Sequence, residues 1–233
     1  MLVCIILLCL GLVSLTLFII EKIRKYSVNE TMIKATTSAL FMILAAYCIY
    51  QKGLTTYGMF IIIGLLFGLL GDIWLELKYV YPNDDKAYSY AGFIMFAIGH
   101  IFFMLGVYLN YFYEAHPLYY ILPFVFGAIM GVVTVLLEKP MKLQYKDMKW
   151  ISLVYGFFLF SSVGTMVSFA ILTKFQYAPA IMLMAALILF AASDLVLSGT
   201  YFGKGKDKPF DLAINCILYY LAQFAIAFSI YFI

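Results

Sequence analysis

Charge is what this sequence has least of. Only 12% of its 233 residues are Asp, Glu, Lys or Arg, about half of what a soluble domain carries. No stretch is polar enough to make a soluble domain, which excludes a soluble α/β enzyme. Histidine is nearly missing: there are two, His100 and His116, the second in a loop. With no carboxylate at HExxH-type spacing they argue against zinc, and no metal or cofactor is expected. The four cysteines (Cys4, Cys9, Cys48, Cys216) form no CxxC pair and lie in apolar runs, so they read as small core residues rather than a disulfide or metal framework. P-loop, GxGxxG and GxSxG motifs are absent as well, which removes the usual nucleotide-binding and serine-hydrolase signatures. The net charge of +3 sits in short loops and implies no nucleic-acid partner.

What is present is apolar sequence: 66% of the residues, with a mean hydropathy of +1.01. A spanning helix needs about 20 mostly apolar residues. Eight stretches meet or approach that length: Leu2–Ile20, Ala35–Tyr50, Tyr57–Leu77, Tyr90–Leu109, Leu118–Leu137, Ile151–Leu172, Ala178–Leu197 and Leu212–Ile233. The second is short and is expected to extend back through Thr31–Lys34. The first has its positive charges behind it rather than in front, so it reads as a retained helix and not a signal peptide. The expected fold is therefore all-α, a single polytopic bundle of eight transmembrane helices.

Loop charges predict its orientation. The first, third, fifth and seventh loops hold Lys22, Arg24, Lys25 and Lys34; Lys78 and Lys86; Lys139, Lys142, Lys146 and Lys149; and Lys204, Lys206 and Lys208. Only Lys52 and Lys174 remain for the other loops. Positive-inside bias then puts both termini on the non-cytoplasmic side.

The halves, about 1–115 and 116–233, resemble diverged copies. Leu17–Lys22 (LFIIEK) matches Thr134–Lys139 (TVLLEK) at an offset of 117, and Leu65–Leu75 matches Leu187–Leu197 at an offset of 122. The second match places Asp72 on Asp194. At an offset of 123, His100 falls on Gln223, and Lys34 and Lys149 each open the second helix of their half. Four helices per half is an even number, so the copies enter the membrane from one side. They would form parallel repeats about an axis along the membrane normal, with the two aspartates facing a central cavity. Asp72 lies five residues before Leu77, about 7.5 Å at 1.5 Å per residue, which puts both acids in the cytoplasmic third of the bilayer.

An aspartate inside a spanning helix costs about 2.5–3.5 kcal/mol on insertion scales and normally faces a cavity or a partner. Asp72 and Asp194 are thus the leading functional candidates. Gly64, Gly68, Asp72 and Glu76 share a helix face at spacing four, as do Asn215, Tyr219 and Gln223. Gly92, Gly99 and Gly106, at spacing seven, read as a close-packing seam. Ser193 reads as a packing residue rather than a nucleophile.

These residues resemble the lysoplasmalogenase (YhhN) family of multi-pass membrane proteins. The likeness is carried by Gly71-Asp72 with Leu75, by Phe93 through Gly99-His100, by Leu189–Asp194 (LFAASD) and by Tyr219–Gln223 (YYLAQ). Lys34 with Thr36 and Thr37 resembles the family's Lys-Pro opening of the second helix, with Ala35 where Pro is usual, and Tyr155 resembles a tyrosine of the sixth helix. The resemblance implies hydrolysis of the vinyl ether bond of a lysoplasmalogen. The products are a fatty aldehyde and a glycerophospho-ethanolamine or -choline. It also implies Asp72 and Asp194 as an acid/base pair, Lys34 holding the phosphate, and His100, Tyr155, Tyr220 and Gln223, with Asn215 and Tyr219, orienting the glycerol and water. The implied partners are a lysophospholipid, water and membrane lipids, in a bacterial inner membrane or the endoplasmic reticulum.

The residues alone leave two other readings open. Repeats with intramembrane carboxylates also suit a proton-coupled transporter of a small molecule or lipid. A non-catalytic lipid-binding protein could share the same framework.

Overall fold

In bilayer hydrocarbon each backbone N–H and C=O must be paired within the protein, so apolar runs of this length fold as helices. The computed structural model describes residues 1–24, 28–112, 114–203 and 208–233. Among them are eight long helices: α1 (Leu2–Arg24), α2 (Val28–Lys52), α3 (Thr56–Val80), α4 (Asp85–Tyr111), α5 (Leu118–Leu136), α6 (Lys149–Leu172), α7 (Ala178–Phe202) and α8 (Pro209–Ser229). All eight are long and apolar enough to cross a membrane, and the chain is an all-α, multi-pass integral membrane protein. Lys25, Lys204 and Lys206, which enter the charge count, lie outside the described residues.

Most helices run further than their apolar stretches. α3 continues through Lys78–Val80, and α2 starts at Val28, where Glu30 is buried against Lys22. Thr55 caps α3 by accepting the Gly58 N–H at 3.0 Å. Prolines sit in the first turns of α7 and α8, where their missing N–H costs nothing.

Apolar burial drives little association in lipid, so close approach must hold the helices together. Glycine permits it at two seams. A Cβ on Gly64 or on Gly99 would lie 3.0 Å from the other's carbonyl oxygen, which brings α3 and α4 into backbone contact. A Cβ on Gly127 would fall 2.0 Å from Ser161 Oγ and 2.6 Å from the Phe157 carbonyl oxygen, so α5 seats directly on α6.

Successive helices within each half pack together, α1 on α2, α2 on α3, α3 on α4, and likewise α5 on α6, α6 on α7, α7 on α8. Between halves α4 packs on α6 and α8 on α2. α8 also packs on α1. Outer faces are apolar, as at Leu12, Val13, Ile121 and Ile129, whereas Asp72, Glu76, His100 and Gln223 are buried.

Candidate active site

One cavity of about 380 Å³ opens within the bundle, and both Asp72 and Asp194 line it. Each lies eight residues before the end of its helix, Val80 for Asp72 and Phe202 for Asp194. At about 1.5 Å per residue that is about 12 Å along each helix. The two carboxyls thus lie equally far from the ends of their helices, which run past the apolar stretches.

The two acids live in different surroundings. Asp72 is buried, and its Oδ2 accepts from Ser38 Oγ at 2.6 Å and from Tyr219 OH at 2.8 Å. Its Oδ1 lies 3.4 Å from Lys34 Nζ. Asp194 is half-buried and accepts from Tyr155 OH; no cation pairs with it among the described residues. Each carboxylate is thus met by a hydroxyl from the preceding helix, Ser38 in α2 for Asp72 and Tyr155 in α6 for Asp194.

Lys34 also lies 2.8 Å from Glu76 Oε1, and Lys22 bridges the same oxygen, at 2.9 Å, to Glu30 Oε1, at 3.1 Å. Lys22, Lys34, Asp72 and Glu76 all face the cavity. With Glu30 the group holds two lysines against three acids. Lys34 therefore occupies the expected wall, but its ammonium is already spanned by two carboxylates, and a phosphate there would meet excess negative charge.

The remaining expected residues divide by position. Tyr155, Asn215, Tyr219 and Tyr220 line the cavity. Asn215 Nδ2 donates to the Ser193 carbonyl oxygen at 2.8 Å, tying α8 to α7 beside Asp194. Tyr220 OH lies 3.0 Å from Ser38 Oγ and donates to the Lys34 carbonyl oxygen at 3.2 Å. Gln223 and His100 stand behind the wall. Gln223 Nε2 donates to Tyr219 OH at 2.8 Å, so it orients the tyrosine that meets Asp72. His100 pairs through Nδ1 with Ser162 Oγ at 2.9 Å and packs its ring on Phe190. Contact of either with a bound substrate would pass through another side chain.

Sequence reasoning missed Ser38, Lys22 and Glu30 as parts of the site and used Glu76 only as a member of a helix face. Ser38 follows Lys34 by one turn and was findable by spacing. Lys22 and Glu30 sit at the ends of adjacent helices; Lys22 reads as a loop charge and Glu30 draws no notice until those ends fold together.

Elsewhere the wall is apolar: Phe93, Phe96, Met130, Val133, Leu159 and Leu195. Ala192 and Leu195 line the cavity and are also exposed on the outside of the bundle. The space thus reaches the lipid-facing surface beside α7. The α5–α6 connection folds over the other end, where Met141 and Tyr145 join the lining. It is held by the Gln144 N–H donating to the Phe202 carbonyl oxygen at 2.8 Å and by the Tyr145 ring against Phe202. Glu138, in the same connection, is held below the usual carboxylate range by its hydrogen bond from Lys149.

The model of the YhhN family matches residues 29–230, from the start of α2 into the last turn of the chain. The chain belongs to the YhhN family. The matched span contains both aspartates, Lys34, Ser38, Tyr155 and the whole of α8; of the charged cluster only Lys22 lies before it. No curated protein and no solved structure matches the chain.

Proposed function

We propose that this YhhN protein is a lysoplasmalogenase-like hydrolase in which Asp194 and Asp72 divide acid and base work. The observation that carries the reading is their placement in one cavity with unlike partners. A lysine and two hydroxyl donors surround Asp72, a setting that suits a carboxylate. Asp194 meets the hydroxyls of Tyr155 and Ser193 but no cation among the described residues, in a largely apolar wall, a setting that suits a carboxylic acid able to give its proton away.

Cleavage of a vinyl ether begins with protonation of its outer alkene carbon, which leaves an oxocarbenium ion on the adjoining carbon. Asp194 supplies that proton. Asp72 removes a proton from water as the water oxygen bonds to the cationic carbon, giving a hemiacetal. Its charge also offsets the oxocarbenium ion, a contribution that grows in a site poor in water. Asp194, now a carboxylate, then takes the hemiacetal hydroxyl proton, and Asp72 returns its own to the departing glycerol oxygen. Both acids are reset, one water is consumed, and a fatty aldehyde and a glycerophospho head group leave. A cavity of about 380 Å³ is near the small end of ligand sites, roughly 300–1,000 Å³. It suits the glycerol portion, with the alkenyl chain passing out beside Ala192 and Leu195.

On this reading the halves are parallel repeats and the cavity's charged end faces the cytoplasm. Asp72→Asn and Asp194→Asn should each abolish aldehyde release from a lysoplasmalogen by purified, folded protein in detergent. Full activity in either variant would remove the acid/base pair. Gradient-dependent uptake into vesicles without turnover would favour a carrier instead.

A further inference from the structure

With Lys34 spanned by carboxylates, the charged end of the cavity needs another cation if it is to hold a phosphate. Lys78, in the last turn of α3, stands just behind the wall and rests on a tyrosine that belongs to it. Its ammonium lies 3.0 Å from the ring centre of Tyr201 and 4.7 Å from that of Tyr79. Among the described residues no carboxylate comes within ion-pair reach of it, in contrast to Lys22 and Lys34. Tyr201 is itself part of the cavity wall. Tyr79 and Tyr201 pack edge to face, their ring centres 6.4 Å apart, and 122 positions separate them, the same offset that relates Asp72 to Asp194. One ring from each half therefore meets its counterpart above the two acids.

The geometry points to this cluster as the site for a zwitterionic phospholipid head group, with Lys78 taking the phosphate and the face of Tyr201 taking the ammonium. This rests on the hydrolase reading for its substrate class. Lys78 follows Asp72 by six residues, about 9 Å along the helix. The glycerol that separates a vinyl ether oxygen from the phosphate covers much of that rise, and the four-carbon lysine stem covers the rest. A contact between an ammonium and a ring face is weaker than a charge-assisted bond to phosphate. An arriving phosphate thus draws Lys78 off Tyr201 and frees a ring face that already accepts a cation. Lys22, 5.7 Å from the centre of Tyr79, shows the same use of the partner ring.

The test is direct binding, with ligands the hydrolase cannot consume. Purified wild type, Lys78→Gln and Lys78→Arg are titrated with an acyl lysophosphatidylcholine and with a monoacylglycerol of the same chain. Lys78→Gln should weaken lysophosphatidylcholine binding about ten-fold and leave monoacylglycerol unchanged, whereas Lys78→Arg should keep the wild-type preference. Tyr201→Leu should cost about three-fold on the choline head group alone. Equal losses on both ligands in Lys78→Gln, or loss of the preference in Lys78→Arg, would overturn the assignment. So would inorganic phosphate competing in wild type as well as the lipid does, because that marks a free-phosphate site. Neither probe carries a vinyl ether, so the result stands whatever the two Asp→Asn variants do.

Discussion

Lys34→Met tests the charge balance under the acids. Lys34 Nζ sits 2.8 Å from Glu76 and 3.4 Å from Asp72. Removing it leaves Lys22 alone against Glu30, Asp72 and Glu76. Breaking a buried pair by deleting one partner costs about 3–5 kcal/mol, most of it the uncompensated charge. For a chain of this size each kcal/mol moves the melting temperature by roughly 2–4 °C, so Lys34→Met should melt about 6–20 °C lower in detergent. Adding Glu76→Gln removes one negative charge and restores the wild-type balance. The double variant should then recover part of the loss, with a coupling of roughly 1–3 kcal/mol. Thermal unfolding followed by circular dichroism, with aldehyde release on the same samples, gives both readouts. Strict additivity of the two single variants would refute the cluster as an energetic unit.

Two further outcomes follow from single contacts. Tyr155→Phe deletes the hydroxyl that meets Asp194; losing such a bond is worth about 1–3 kcal/mol, so turnover should fall roughly five- to hundred-fold while the fold persists, and an unchanged rate would detach Tyr155 from the chemistry. Gly127→Ala puts a methyl group against Ser161 and the Phe157 backbone. It should separate α5 from α6 at a cost of about 1–3 kcal/mol, read as a lower melting temperature; a melt identical to wild type would mean that the seam yields freely.

The spans were legible because lipid imposes one rule, continuous apolar sequence, and nothing else in the chain competes with it. Their ends were not, because Lys78 and Glu30 extend α3 and α2 with polar turns that hydropathy reads as loops. The aspartates were legible through rarity and through the repeat offset. Their partners were less so: Tyr155 and Tyr219 stood out as polar marks on apolar helices, whereas Ser38 is too small and common to stand out. The carboxylates around Lys34 were hidden for a physical reason. A lone lysine in a sequence looks like a free cation, and only the packing of α1, α2 and α3 brings Glu76 and Asp72 against it.

The opening at Ala192 and Leu195 has a bearing on turnover. The proposed reaction splits an amphiphile into one piece that prefers oil and one that prefers water. A chamber with a greasy side window and a charged end lets each piece depart into the phase it favours. On that proposal, aldehyde released beside α7 would be diluted at once into the bilayer, and the glycerophospho fragment would leave past Tyr201. Neither would have to cross the other's path, so the two products would not queue, and loading the membrane with aldehyde should inhibit the proposed turnover separately from loading the water with head group.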